Sequence, residues 1–176
     1  MITLAIVVHL LVATDVRVQP SVAPAVAPPD LASLQFLIGQ WEAVGTPTGE
    51  TGGFSFALGV QGRVIVRTNT AHYAATDERP ESRHDDLMVI YADGAELKAD
   101  YFDNEGHVIR YVARLLRPGA VSFVSELKSG EPRYRLTYTT GADGLLAGQF
   151  EIALPGASEV FTPYLAWSAR RVKLQP

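Results

Sequence analysis

Four histidines occur in this 176-residue chain. His9 sits in an apolar leading stretch. The other three stand near carboxylates: Asp85 and Asp86 follow His84, Asp103 shortly precedes His107, and His72 precedes a polar loop. Imidazole with carboxylate suits two chemistries. The pair binds divalent zinc, iron or manganese, or a neutral imidazole oriented by an aspartate acts as a general base. No His-x-His or His-Glu-x-x-His spacing writes a metal motif into the chain. Asp103, Asn104 and Gly106 are also ordinary turn formers, so a solvated rim without chemistry is the plain alternative. Asp85 and Asp86 are adjacent; in a strand they point to opposite faces and do not act together as a glycosidase pair. Nucleophile elbows, phosphate-cradling glycine loops and dinucleotide fingerprints do not occur. No catalytic residue, metal ligand or cofactor is therefore assigned.

Two further sets of residues point to binding. Arg67 and Asn69 share one face of a segment rich in β-branched residues, far from any turn. Facing inward, that arginine would be available to a ligand carboxylate; facing outward, it would be solvated. Alternation leaves both faces open, because Val64 and Val66 make the opposite face the more apolar one. The second set is aromatic. Lys98 and Asp100 turn Leu97, Ala99 and Tyr101 inward; Arg110 and Arg114 turn His107, Ile109, Tyr111 and Ala113 inward; Arg133 and Arg135 alternate with Tyr134, Leu136 and Tyr138. An inner wall of Tyr101, Tyr111, Tyr134 and Tyr138 offers an apolar surface with a few hydroxyls, as a small hydrophobic ligand needs. The alternative is that the same tyrosines fill a core and leave no cavity.

Short alternating segments position all of these residues. Asp30 is a candidate N-cap, and Leu31, Leu34, Leu37 and Ile38 recur at helical spacing until Gly39 stops the run. Beyond Gly39 the pattern is all-β. Strands are expected over 40–48, 53–58, 63–73, 84–91, 96–102, 107–116, 121–127, 133–140, 145–154 and 160–172, joined by turns such as Asp93-Gly94 and Pro118-Gly119. Short connections imply an antiparallel meander. A sheet of about ten strands curls, and closing it removes the exposed edges. The expected fold is an antiparallel up-and-down barrel of about ten strands with one short N-terminal helix; a two-sheet sandwich is the structural alternative. In such a meander His72, His84, Asp85, Asp86, Asp103 and His107 fall at one rim.

The chain is 47% hydrophobic and 19% charged, as suits one globular domain with a real core. The formal charge of −4 provides no basic excess to grip nucleic acid, and the scattered Lys and Arg form no polybasic membrane anchor. The absence of cysteine removes disulfides, thiolate metal sites and cysteine nucleophiles. Ile2 to Ala13 is an apolar run of about twelve residues, shorter than the roughly 20 of a membrane span and close to a signal-peptide core. Small-residue pairs around Ala23, Ala25 and Ala27 fit a cleavage pattern, although no Lys or Arg precedes Arg17. Residues 1–29 are read as a signal-like segment with a Pro/Ala-rich linker, and 30–176 as the barrel domain. The expected location is secreted or periplasmic, with no integral span in the mature chain.

The entry Leu37-Ile38-Gly39-Gln40-Trp41 resembles the Gly-x-Trp signature that opens the first strand in the lipocalin/calycin group. That resemblance implies a tryptophan packed at the closed end of a barrel, with an arginine of the last strand lying across it. Arg170 or Arg171 would fill that part. Ten strands look more like the fatty-acid-binding and nitrobindin types than like eight-stranded lipocalins. The stretch from Leu31 to Val172 is similar to an uncharacterised bacterial family of lipocalin-like domains. The likeness is carried by Gly62-Arg63-Val64-Ile65-Val66-Arg67, His84-Asp85-Asp86-Leu87-Met88 and Tyr101-Phe102-Asp103-Asn104-Glu105-Gly106-His107. It implies a fold and no activity. Nitrobindin-type barrels hold haem through a histidine on a late strand, whereas this chain has none after His107.

The leading expectation is an exported protein that binds a small hydrophobic or amphipathic molecule without catalysis. The candidate ligand-binding residues are Arg67, Asn69, His84, Asp86, Tyr101, His107, Tyr111, Tyr134 and Tyr138. The alternatives are an enzyme or metal-binding protein using the His/Asp cluster at the mouth, and a structural envelope protein with a filled barrel. The oligomeric state is left open.

Overall fold

The computed structural model describes residues 30–173. The expected signal-like segment and linker, with His9, lie outside the described residues. One short helix leads into ten strands: β1 (Gly39–Val44), β2 (Glu50–Gly59), β3 (Val64–Tyr73), β4 (Ser82–Asp93), β5 (Glu96–Asp103), β6 (Val108–Arg117), β7 (Ala120–Ser125), β8 (Arg133–Thr140), β9 (Leu146–Ala153) and β10 (Thr162–Arg171). Each strand pairs antiparallel with its neighbours in sequence, and β1 pairs with β10 to close the barrel. Closure leaves no unpaired edge, so the two-sheet sandwich is ruled out. No helix among the described residues is long and apolar enough to cross a membrane.

The expected short helix is a 3-10 helix over Leu31–Leu37. Asp30 caps it as expected, accepting from the Ser33 N–H at 3.2 Å. The tighter winding has a sequence cause: Leu31, Leu34 and Leu37 are spaced by threes, which align on one face at three residues per turn. Leu34 and Leu37 are fully buried beneath the barrel end. There Trp41 is 3% exposed, and its Nε1 donates to the Leu37 carbonyl at 2.8 Å. Arg171, paired with Trp41 in the ladder, lays its guanidinium 4.3 Å from the indole centre and donates to the carbonyls of Phe36 (3.0 Å) and Ile38. Of the two expected arginines, Arg171 therefore makes the contact. Arg170 points outward to Glu42 at 3.0 Å.

Strand parity decides what the barrel holds. Phe54 and Phe56 on β2 are buried, as are Ile65 and Arg67 on β3, Met88 and Ile90 on β4, Leu97 and Ala99 on β5, and Tyr111 on β6. On the far wall Phe123, Leu136, Tyr138 and Leu146 are buried too. Edge-on aromatic contacts knit the two walls, with Tyr138 5.4 Å from Phe56 and 6.5 Å from Phe123 between ring centres. Trp167 packs edge-on against Tyr138, 6.0 Å away, over the bare backbone of Gly148, which leaves no room for a Cβ beneath the indole. The helix end is thus a filled core. Toward the opposite end the inward residues Tyr101, Ile109, Tyr134 and Phe150 are only partly buried.

Candidate functional site

Site geometry starts from the inward face of β3. Arg67 lies inside the barrel with 5% of its side chain exposed, and Asn69 follows it toward the mouth. Val64 and Val66, the more apolar pair, take the outward face, where they are half-buried. Hydropathy alone points the other way. The inward face needs few β3 aliphatics because aromatic rings surround the arginine: its guanidinium carbon is 5.6 Å from the Phe54 ring centre and 6.0 Å from that of Tyr138.

A buried arginine requires a counter-charge. Asp86 on β4 supplies it, ion-paired with the Arg67 Nη1 and 4% exposed at its side chain. Asn69, directly opposite Asp86 in the ladder, donates its Nδ2 to Asp86 Oδ2 at 2.9 Å. Burial pushes the Asp86 carboxyl above its ordinary range, while Arg67, His84 and Asn69 oppose that rise.

The network continues to the mouth. His84 Nε2 lies 3.4 Å from Asp86 Oδ2 and 3.2 Å from the Tyr101 hydroxyl. Its other ring nitrogen, Nδ1, faces Glu105 Oε1 at 3.1 Å. Tyr101 donates to Asp103 Oδ2 at 3.4 Å, and His107 Nδ1 is 2.8 Å from that same oxygen. Burial, with the Asp86 and Asp103 carboxylates, pushes the Tyr101 hydroxyl far above the usual phenol range. For Asp103, burial works against the charge, but the backbone and ring donors of His107 outweigh it and hold the carboxyl below its ordinary value.

The β5–β6 turn is held by its own side chains. Asp103 Oδ1 accepts from the N–H groups of Glu105 (3.0 Å) and His107 (2.9 Å). Asn104 clips the turn to β4, donating to the Arg83 carbonyl at 3.0 Å and accepting from the Asp85 N–H at 3.0 Å. Gly106 takes a φ of +91°, which a side chain would resist.

The expected rim is therefore only partly gathered. His84, Asp86, Asp103 and His107 join one network, although His107 sits in the turn before β6, half exposed, and not on the inner wall. His72 faces outward and pairs with Glu81 at 2.8 Å. Asp85 also faces outward, to Thr70 and Arg83, opposite to Asp86 as adjacent strand residues must be. Glu105 is not singled out by sequence; it reaches His84 because the β4–β5 ladder sets Asp103 opposite Asp86 and Asn104 ties the turn to β4.

Below the mouth, Tyr101 and Tyr111 pack edge-on at 6.5 Å. Tyr134 stacks on Phe150 at 5.8 Å. Tyr138 is completely buried, and burial pushes its hydroxyl up to about 12. Among the described residues neither the Tyr138 hydroxyl nor the Arg67 Nε has a hydrogen-bond partner, and both are closed to solvent.

No protein-family model matches the chain, and no curated protein sequence matches it. The closed ten-stranded antiparallel barrel is consistent with a calycin- or lipocalin-like fold.

Proposed function

We propose that this protein is an exported, non-catalytic binder of a small apolar or amphipathic molecule, akin to the lipocalin-like bacterial domains that its sequence resembles. The ligand enters at the His84 end and rests against Tyr101, Tyr111, Tyr134 and Phe150. The observation that supports this reading is that two of the four buried side-chain atoms without a hydrogen-bond partner among the described residues, the Arg67 Nε–H and the Tyr138 hydroxyl, lie among the inward aromatic rings. Leaving a buried donor unsatisfied costs about 1–3 kcal/mol. A ligand acceptor reaching these donors removes the cost.

The electrostatics select the ligand's polar end. Asp86 already neutralises Arg67. A second carboxylate beside Arg67 would bring a net negative charge among the inward aromatic rings, which is expensive. An uncharged acceptor, such as a carbonyl or ether oxygen, suits the two donors better. Half-buried Tyr134, Phe150 and Tyr101 then supply the apolar contact.

The test is displacement of N-phenylnaphthylamine, a neutral apolar fluorophore, by a straight-chain ketone, alcohol and carboxylic acid of equal length. The ketone is expected to displace the probe best and the carboxylate worst. Failure of the probe to bind at all would contradict a ligand-binding barrel, and preference for the carboxylate would contradict a neutral acceptor beside Arg67.

A further inference from the structure

Asp103 and Glu105 carry two carboxylates at the mouth, and among the described residues neither is ion-paired with a lysine or arginine. Their polar partners are the imidazoles of His84 and His107. Ligand atoms of His84, Asp103 and Glu105 all lie within 4.8 Å of one another. Zinc ligands about 2.1 Å from the ion stand roughly 3.4 Å apart in a tetrahedron. The 3.1 Å between His84 Nδ1 and Glu105 Oε1 is already in that range. The exposed Glu105 side chain is free to move, whereas Asp103 Oδ2 would exchange its Tyr101 or His107 donor for the ion.

The surroundings are those a metal-bound imidazole needs. A ligating histidine ordinarily gives its second ring nitrogen to a carboxylate or other acceptor, which fixes the tautomer and aims the free lone pair. His84 directs Nε2 at Asp86 and the Tyr101 hydroxyl, leaving Nδ1 toward Glu105. Asp86 is itself held by Arg67 and Asn69, so the histidine is oriented from inside the barrel. Asp103 and Glu105 sit on one turn, and Asn104 pins that turn to the strand carrying His84.

We infer that His84 Nδ1, Asp103 and Glu105 form a binding site for a divalent transition ion of the zinc class at the barrel mouth. Three protein ligands leave coordination positions for water or an exogenous donor. The sequence places His84 and Asp103 at one rim but does not single out Glu105, which the turn, and not a short motif, brings to them.

Calorimetric titration of the tag-free full chain with zinc chloride tests it. One equivalent is expected to bind. His84→Ala and Glu105→Gln are each expected to weaken binding at least about tenfold, and His72→Ala, on the outward face, to leave it within about twofold. Glu105→Gln is an exposed, conservative change and keeps the test valid if His84→Ala does not fold. On the wild-type protein, ring-nitrogen NMR is expected to show zinc shifting His84 Nδ1 and not the His72 ring. Absence of zinc binding, undiminished affinity in Glu105→Gln, or an equal loss in His72→Ala would overturn the site.

Discussion

Arg67 and Asp86 form an ion pair inside the barrel, with only 5% and 4% of their side chains exposed. Asp86 also receives Asn69 and lies beside His84, so one buried carboxylate joins the floor of the barrel to its mouth.

Removing either partner strands a buried charge. Arg67→Met and Asp86→Asn are each expected to cost about 3–5 kcal/mol of stability, measured as urea unfolding free energy. The double variant is expected to be more stable than either single variant, because no uncompensated charge remains. Simple additivity of the two losses would mean that the pair does not act as a unit.

Tyr138→Phe separates folding from binding. The hydroxyl is buried without a partner, so its removal is expected to leave stability unchanged or raise it by about 1 kcal/mol. Affinity for the ketone ligand is expected to fall roughly tenfold, the equivalent of one hydrogen bond. A clear loss of stability in the ligand-free variant would show the hydroxyl to be a structural donor.

The pH dependence follows from Asp103, whose folded carboxyl titrates below its ordinary value. Its contribution is full above the unfolded pKa of about 4 and disappears as pH falls through the lower folded value. Asp103→Asn is therefore expected to be less stable than wild type at pH 6, with the gap narrowing below about pH 4. Urea midpoints measured across pH 3 to 7, a range spanning about 4, check the sign.

The two C-terminal arginines are expected to behave differently. Arg171 binds two carbonyls at the end of the helix and covers Trp41. Arg171→Ala is expected to cost about 2 kcal/mol and to shift the fluorescence of Trp41 to the red. Arg170→Ala removes only an exposed pair with Glu42, worth less than about 1 kcal/mol. Equal losses would contradict the assigned roles.

Much of the barrel was legible because alternation and turn chemistry are local signals. The expected strand over 133–140 is the observed one, and Glu96–Asp103 exceeds its expected span by one residue. Charged residues at alternate positions oriented β5, β6 and β8 correctly, except that His107 falls in the turn before β6. β3 was ambiguous because a pair buried across strands, Arg67 with Asp86, looks in one dimension like two surface charges. Glu105 was invisible for a related reason: its approach to His84 depends on Asn104 bridging residues far apart in sequence. Outward His72 and inward His84 differ only by strand parity, which the polar loop between them does not transmit.

Native mass spectrometry of the protein purified from its own cells addresses the central claim most directly. The expected result is a small-molecule adduct on the wild-type chain, reduced in Tyr138→Phe and identified as a largely apolar compound with an uncharged oxygen acceptor. A bare protein mass, with N-phenylnaphthylamine also failing to bind, would contradict the binding reading and leave a barrel whose buried donors are simply unsatisfied.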